Sequence, residues 1–415
     1  MNTISNIVIV CEFAQFSGGS QNIAINSAIE LAKRGLNVTF FTAIGDECNE
    51  LKDSNVRVKH LHIKNITEDS NRVAAAFRGL WNSEAANELE NILRDCPIES
   101  TIVHVHNWSN AFSSSVIRKV TKRGYKTVIT LHDYLVVCPN GGFYDYKHNH
   151  VCSIEPMSLK CITCNCDRRS YPQKLYRVVR ELIQNRNVRY NENLNFITIS
   201  QLNNDLVRSR VKSKKIYRVD NFVQTKCVNH RERRYSYNFI CVGRIVKEKG
   251  VEIFCKAITS LKEKHPEVCG QVFGDGPLLN QLKKDYPAVE FSGWVSHDVV
   301  DRAMENARCL VFPSVLYECS PLTVIEAFSS GLPCIASDCT TAKELISDGI
   351  NGFLFRAGDS TNLAEKMENA LLDESYVAIE NKIKGTFDPS KYTCAAYTDN
   401  ILRVYNTIIG ADRNE

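Results

Sequence analysis

The sequence predicts an α/β protein built from two Rossmann-like domains. Three observations carry this. The chain has 415 residues, more than one ordinary core organises and about what two α/β domains need. Short β-rich apolar runs alternate with segments of helical apolar spacing, the pattern of parallel sheets covered on both faces. That alternation stops at a polar, basic stretch near Val211–Tyr237 and then starts again.

In the first half, "NIVIVCEF" reads as a strand, "QNIAINSAIELAKRG" as a helix ended by Gly35, and "NVTFFTA" as the next strand. "TIVHVH" and "TVITLH" are strands with the helical "AFSSSVIRKVTKRG" between them, and "NFITIS" closes the half. In the second half "NFICVGRI", "QVFGDG", "VEFSGWV", "CLVFPS", "PCIASD" and "GFLF" read as strands, separated by amphipathic segments such as "VEIFCKAITSLKEK". The expected domains are 1–221 and 238–390, joined by a linker at 222–237. A last helical segment, 391–410, is expected to return to the first domain. No short repeat period is visible.

Composition narrows the function classes. Hydrophobic residues make up 44% and charged residues 24%, an ordinary globular mix. No apolar run is long enough to span a bilayer. The opening "MNTISNIVIVCEF" lacks a charged n-region and a small-residue cleavage site, so a cytoplasmic protein is expected. Seventeen cysteines then fit as reduced, mostly buried side chains. The net charge is only +4, and no nucleic-acid recognition motif is present, which argues against a nucleic-acid partner. The cations are unevenly spread. Arg168, Arg169, Lys174, Arg177, Arg180, Arg186 and Arg189 fall together, followed by Lys212, Lys214, Lys215 and Arg218, a local bias that suits an anionic surface.

Open α/β sheets bind ligands beyond the carboxyl ends of their strands, and with two such domains the cleft between them is the expected site. Polar residues just after strands are therefore the candidates. Gly18 and Gly19 in "FSGGSQN" open a helix and let backbone approach a ligand, although the dinucleotide fingerprint G-x-G-x-x-G is missing. A plain tight turn explains them as well. In "VGRIVKEKG", Gly243 permits a close turn, and Arg244 and Lys249 place two cations where a diphosphate could be clamped; a solvated basic loop is the bland alternative. Gly274 in "FGDGP" ends another strand, with a helix expected from Pro277.

"YECSPLTVIEAF" is the most informative stretch. Ser320 suits a helix N-cap and Pro321 the first helical position, with the helix stopping at Gly331. Its start offers unpaired N–H groups and a positive dipole end, which suit phosphate. Glu318 lies before the cap and Glu326 inside the helix, each able to accept from sugar hydroxyls. Carboxylates for hydroxyls with cations for phosphates describe a nucleotide-sugar. A capped helix with two surface glutamates is the structural alternative. In the first half, His132 and Asp133 in "TLHDY" and His104 and His106 in "TIVHVHNW" stand at strand ends; a lone histidine is more often structural.

Together, "VGRIVKEKG", "FGDGP" and the E-x7-E of "ECSPLTVIE", in that order and at those intervals, resemble the family 4 retaining glycosyltransferases of the GT-B fold, of the bacterial surface-polysaccharide type. The Gly-Gly loop and "TLHDY" match too, so the resemblance covers essentially the whole chain. It implies two Rossmann-like domains facing a cleft. It implies that Arg244 and Lys249 hold the donor diphosphate, that Glu318 contacts the transferred sugar and Glu326 the ribose, and that Ser320, Pro321 and Leu322 lie along the donor. Gly19 would sit near phosphate and acceptor, and His132 beside the sugar as a catalytic residue. One departure is the "ECSP" of this chain where many relatives have E-x-F-G, which alters the sugar pocket. The chain has no D-x-D, so no metal bridging the diphosphate is required and no cofactor is expected for the chemistry.

Two further features follow His132. Cys138, Cys152, Cys161, Cys164 and Cys166 form a cysteine-rich insert at 138–166, whose C-x2-C-x-C spacing offers ligands for a structural zinc, with His148 and His150 as further candidates. Reduced cysteines in a cytosolic loop are the plainer reading. Then "YPQKLYRVVRELIQNRNVRY" is a basic amphipathic helix with Leu175, Val178, Val179, Leu182 and Ile183 on one face. That face packs on the core by default, or lies on an anionic membrane with arginines at the headgroups. The expected function is a retaining transfer from a UDP- or GDP-linked sugar to a saccharide, in particular a polyprenyl-diphosphate-linked oligosaccharide, by a protein peripheral to the inner face of the cell membrane. A sugar-nucleotide epimerase of the same fold and a non-catalytic nucleotide-sugar-binding subunit are the competing readings.

Overall fold

The computed structural model describes residues 4–16, 18–65, 69–224 and 235–410. Most of the expected linker, 225–234, lies outside the described residues. The chain gathers into two compact units. The first takes in 1–143, 153–222 and 394–415; the second takes in Tyr144–Cys152 and Val223–Thr393.

The first unit is built on seven parallel strands: β1 (Asn6–Cys11), β2 (Asn37–Thr42), β3 (Arg57–His60), β4 (Thr101–Asn107), β5 (Lys126–Thr130), β8 (Asn195–Thr198) and β9 (Ile216–Arg218). Their order is β3-β2-β1-β4-β5-β8-β9. The central strands are buried on both faces, from Ile7 to Cys11 in β1 and from Thr101 to His106 in β4, which is why they read as continuous apolar runs. β3 and β9 were not expected from the sequence. Both are short and sit at the sheet's edges, where only one neighbour demands apolar side chains. The helix expected across "AFSSSVIRKVTKRG" is confined to Ser115–Lys122, because Ser113 takes a left-handed φ of 59° and ends helical continuity upstream. The C-terminal helix Cys394–Gly410 lies against helix Gly19–Lys33 and buries Tyr397 and Tyr405. Arg34 follows the latter helix; it donates from Nη2 to the Ala395 carbonyl at 3.0 Å and pairs with Asp399.

The second unit holds six parallel strands: β10 (Asn238–Val242), β11 (Cys269–Phe273), β12 (Val289–Gly293), β13 (Cys309–Phe312), β14 (Cys334–Ser337) and β15 (Phe353–Phe355), in the order β12-β11-β10-β13-β14-β15. Two glycines let backbone segments meet at the carboxyl edge of this sheet. A Cβ on Gly274 would lie 1.9 Å from the Gly243 carbonyl oxygen, and one on Gly250 would lie 1.9 Å from that of Pro313. Gly243, Gly250 and Gly274 all have positive φ. A short antiparallel hairpin, β6 (Tyr144–Asp145) with β7 (His150–Val151), groups with this unit. The sequence placed the whole cysteine-rich insert in the first domain. The hairpin pairs its strands with each other alone, so side chains decide where it packs, and strand periodicity does not reveal that.

In each sheet the strand order reverses beside the first strand of the unit, between β1 and β4 and between β10 and β13. Ligand sites of open α/β sheets lie beyond the carboxyl ends at such points.

Candidate active site

In the second unit the predicted donor residues gather at those carboxyl ends. β10 runs into Gly243 and the exposed Arg244. A single turn of 3-10 helix at Lys247–Lys249 follows and ends at Gly250. Because no side chain intervenes at Gly250, this turn lies against the segment after β13, and Val315 N–H donates to the Glu248 carbonyl at 2.9 Å. That contact delivers Lys249 to Glu318: Nζ and Oε1 are 2.6 Å apart, with the glutamate side chain 12% exposed. Ser314 Oγ donates to the same carboxylate oxygen at 2.6 Å. A cation and a carboxylate held this close orient each other.

The helix in the opening motif spans Leu322–Ser329. Pro321, not Ser320, occupies the cap position, and no side chain caps it. The correction has a simple origin. The Pro321 carbonyl is the first acceptor of the ladder, taking N–H groups from Val324 at 2.9 Å and Ile325 at 3.1 Å. The N–H groups of Leu322 and Thr323 therefore have no carbonyl within the helix. They point from a positive dipole end that carries no acidic side chain in its first turn. Gly331 closes the helix with φ 69°, its N–H bonded to Phe328. Helix Leu279–Asp285 likewise starts two residues later than Pro277. Glu326, on the second turn, meets His297 Nε2 at 3.3 Å. The bond to Glu326 holds the His297 imidazole cationic, its pKa raised to about 9, with Asp301 adding to the effect. His297 and Ser314 were not singled out from the sequence. Neither has a local signature, because their partners lie 29 and 4 residues away in unlike elements.

In the first unit, β4 and β5 are paired with Val105 opposite Ile129, so residues after their ends adjoin. His104 and His106 are two apart and project on one face. His104 is buried between Tyr405 Oη, 2.6 Å from Nδ1, and Thr130 Oγ1, 2.7 Å from Nε2. His106 Nδ1 and His132 Nε2 share a hydrogen bond at 2.9 Å. Burial pushes both His104 and His132 down to about 3 and His106 well below its usual range, so all three imidazoles are neutral at pH 7. His106 and His132 belong to the wall of a cavity of about 900 Å³, which Asp133 also lines. Burial among surrounding protein raises the Asp133 carboxyl, against the donation it accepts from Leu135 N–H at 2.9 Å. Glu12, a residue the sequence did not flag, ties the loop after β4 in place. Its carboxylate accepts from Asn110 N at 2.6 Å, Asn110 Nδ2 at 3.0 Å, Phe112 N at 3.2 Å and Ala111 N. Gly18 and Gly19 stand at the start of helix Gly19–Lys33, again without a side-chain cap. Gly18 has an extended φ of 179°, so its conformation does not itself require glycine.

In the cysteine insert a lysine lies among the thiols. Lys174 is fully buried, its Nζ 3.6 Å from Cys161 Sγ and beside Cys166 and Cys138. Asn140 Nδ2 donates to Cys166 Sγ at 3.0 Å. Among the described residues no group of three or more His, Cys, Asp or Glu side chains is gathered as metal ligands are. An ammonium thus lies among three of the five thiols named as zinc candidates.

For helix Tyr171–Asn187 the default expectation, an apolar face packed on the core, does not hold. Lys174, Arg180, Glu181 and Gln184 are buried, whereas Leu175, Val179 and Leu182 are exposed. The apolar stripe therefore does not pack on the core; Val178 alone of its five residues is buried. No helix of the described residues is long and apolar enough to cross a membrane.

A family model described as Glycosyltransferase Family 4 matches residues 17–226, half of the chain, and one described as Glycosyl transferases group 1 matches residues 236–373. The chain belongs to Glycosyltransferase Family 4. The two matched segments run from helix Gly19–Lys33 to β9, leaving out β1, and from β10 to helix Ser360–Leu371. Among relatives, an alpha-D-kanosaminyltransferase of Streptomyces kanamyceticus is 27% identical over 40% of this chain and 45% of its own length. A UDP-Gal:alpha-D-GlcNAc-diphosphoundecaprenol alpha-1,3-galactosyltransferase of Escherichia coli is 31% identical over 31% of this chain and 34% of its own. The chain thus spans less than half the length of these family members. The crystal structure of Anabaena HepE in complex with UDP-glucose superposes with a TM-score of 0.66 at 15% identity, covering 97% of this chain and 99% of that one. This likeness shows the fold, the two-domain GT-B architecture of the family.

Proposed function

We propose that the chain is a glycosyltransferase that moves a sugar from a UDP- or GDP-linked donor to a saccharide acceptor with retention of anomeric configuration. The observation that carries the donor half is the Lys249–Glu318 pair beside the open start of helix Leu322–Ser329. Lys249, Arg244 and the N–H groups of Leu322 and Thr323 would stabilise the charge that develops on the departing nucleoside diphosphate. Glu318 would hold the transferred sugar, and Glu326, released from His297, the ribose diol. Retention rests on the family resemblance alone. In this scheme the leaving phosphate takes the acceptor proton, and no metal is needed to bridge the diphosphate.

The proposed acceptor is a polyprenyl-diphosphate-linked oligosaccharide of O-antigen, capsule or exopolysaccharide assembly. The name of the Escherichia coli relative, with its diphosphoundecaprenol acceptor, supports this class. So does the exposed apolar flank of the first unit: Val73 and Phe77 of helix Arg72–Leu80 and Leu175, Val179 and Leu182 of helix Tyr171–Asn187. These helices adjoin, with Tyr176 Oη donating to the Ala76 carbonyl at 3.0 Å. Such a flank would seat on the inner face of the cell membrane without spanning it.

A thermal-shift panel of UDP, GDP, ADP and their sugar conjugates tests the donor half. A ligand bound only by the folded state adds about 2.7 kcal/mol at a hundred times Kd. One nucleotide and its conjugates are expected to raise the melting temperature. No shift with any of them on folded protein would remove the donor assignment.

A further inference from the structure

The cavity of the first unit has a chemistry that its histidines do not account for. Arg72, Arg169, Arg177 and Arg180 all line it, against one carboxylate, Asp133. Arg180 is the informative member. It is 8% exposed, its Nη2 donates to the Pro139 carbonyl at 3.3 Å, and its Nε is buried with no hydrogen-bond partner among the described residues. Next to it, Arg177 is fixed through Nε by Asp167 at 2.8 Å. The neighbouring acid of the helix, Glu181, and Asp133 offset the charge of Arg180 only in part, and among the described residues neither makes a hydrogen bond to it. Burial raises Glu181 to about 7, and its carboxylate oxygen accepts instead from Gln184. Burial, together with the charge of Arg177, lowers the pKa of Arg180, so the arrangement is costly as it stands.

Two guanidinium groups crowded in a cavity, one with an unused buried donor, are stabilised by an anion that accepts from both. The guanidinium fork matches phosphate oxygens in pairs, and desolvation inside a cavity strengthens the attraction. The histidine wall, neutral at pH 7, adds hydrogen-bonding groups without adding charge. The volume, about 900 Å³, is in the range of pockets that hold a whole small ligand.

We propose that this cavity is a phosphate-binding site for the acceptor, with Arg177 and Arg180 at its centre and Arg72 and Arg169 around them. The inference rests on the transferase reading for the word acceptor, but the anion site itself stands on the cavity alone. The same two helices that supply Arg72, Arg177 and Arg180 carry the exposed apolar side chains outside, which suits a phosphate attached to a lipid.

Calorimetric titration of the full chain with inorganic pyrophosphate tests it, with the nucleotide chosen by the thermal-shift panel present at saturation to occupy the donor half. Pyrophosphate is expected to bind, and Arg180→Gln and Arg177→Gln are each expected to weaken it by at least about tenfold. Arg180→Lys, which keeps the charge and loses the fork, is expected to fall between. Unchanged nucleotide affinity in each variant shows that the fold persists, and Arg177, being partly exposed, is the safer of the two. No pyrophosphate binding beside bound nucleotide, or undiminished binding in both glutamine variants, overturns the site. Failure of nucleotide binding in the native chain instead counts against the transferase reading. Farnesyl diphosphate binding more tightly than pyrophosphate assigns the phosphate to a lipid acceptor; equal binding assigns it to a water-soluble one, and either result supports the site.

Discussion

Lys249→Ala and Glu318→Ala are each expected to lower kcat/KM for sugar transfer by about 10²–10³-fold, the loss seen when one group that stabilises transition-state charge is removed. The two should differ in kind. Lys249 lies 2.6 Å from Glu318, four residues before helix Leu322–Ser329, so its removal is expected to leave charge on the leaving diphosphate unmet. That loss should fall mainly on kcat. Glu318 also accepts from Ser314, so Glu318→Gln, which keeps the shape and drops the charge, should recover part of the binding and little of the rate. Both pair members are partly exposed, and the pair contributes little to stability. The variants should therefore fold normally. Steady-state kinetics on purified variants checks this, and near-native turnover in either would undo the donor assignment.

The second large effect is on stability and depends on pH. His104 is fully enclosed with its pKa at about 3, against 6.5 when free. The fold favours the neutral imidazole, so the unfolded chain takes up the proton first as the pH falls. Its contribution is present above pH 6.5 and is lost on acidification toward pH 3, at about 1.4 kcal/mol per pH unit. Glu181, raised to about 7, acts in the opposite direction between pH 7 and its ordinary value of 4.5, so the whole protein's profile mixes both signs. His104→Gln isolates the histidine. At pH 7.5 the substitution should destabilise, because the bonds to Tyr405 and Thr130 are disturbed. That cost should shrink by about 2.7 kcal/mol between pH 6.5 and 4.5, where only the native side chain suffers protonation. Denaturant unfolding of both proteins across this range measures it. A pH-independent difference would show that His104 is not held neutral.

Much of this architecture was legible because burial on both faces writes long apolar runs into the sequence. β1, β4, β10, β13 and β14 are of this kind, and helix Val251–Lys264 coincides with the predicted segment. β3, with the sequence Arg57–Val58–Lys59–His60, faces solvent enough to hide its strand character. The grouping of Gly243, Lys249, Gly274 and Glu318 at the carboxyl edge of one sheet was legible because each follows a strand that reads clearly in the sequence. Their partners Ser314 and His297 were not, since a single serine or histidine carries no pattern.

Helix Tyr171–Asn187 was legible as amphipathic, with its apolar face open to either the core or a membrane surface. Amphipathic spacing says which residues share a face, but not which face meets the protein. Here the inward side meets a polar cavity and a cluster of thiols, so Lys174 and Arg180 turn inward and Leu182 turns out. The cysteine spacing shows that thiols can converge, but not that Lys174, eight residues beyond Cys166, lies beside three of them.

The central claim is that a sugar passes from a nucleotide to an acceptor. The most direct measurement incubates the chain with the nucleotide-sugar selected by the binding panel and a synthetic prenyl-diphosphate-linked saccharide. Product mass and the anomeric proton signal are then followed together. The expected result is an acceptor heavier by one sugar residue, nucleoside diphosphate released in equal amount, and the donor's anomeric configuration kept. Free nucleotide and an altered sugar with the acceptor unchanged would contradict the claim and point to an epimerase.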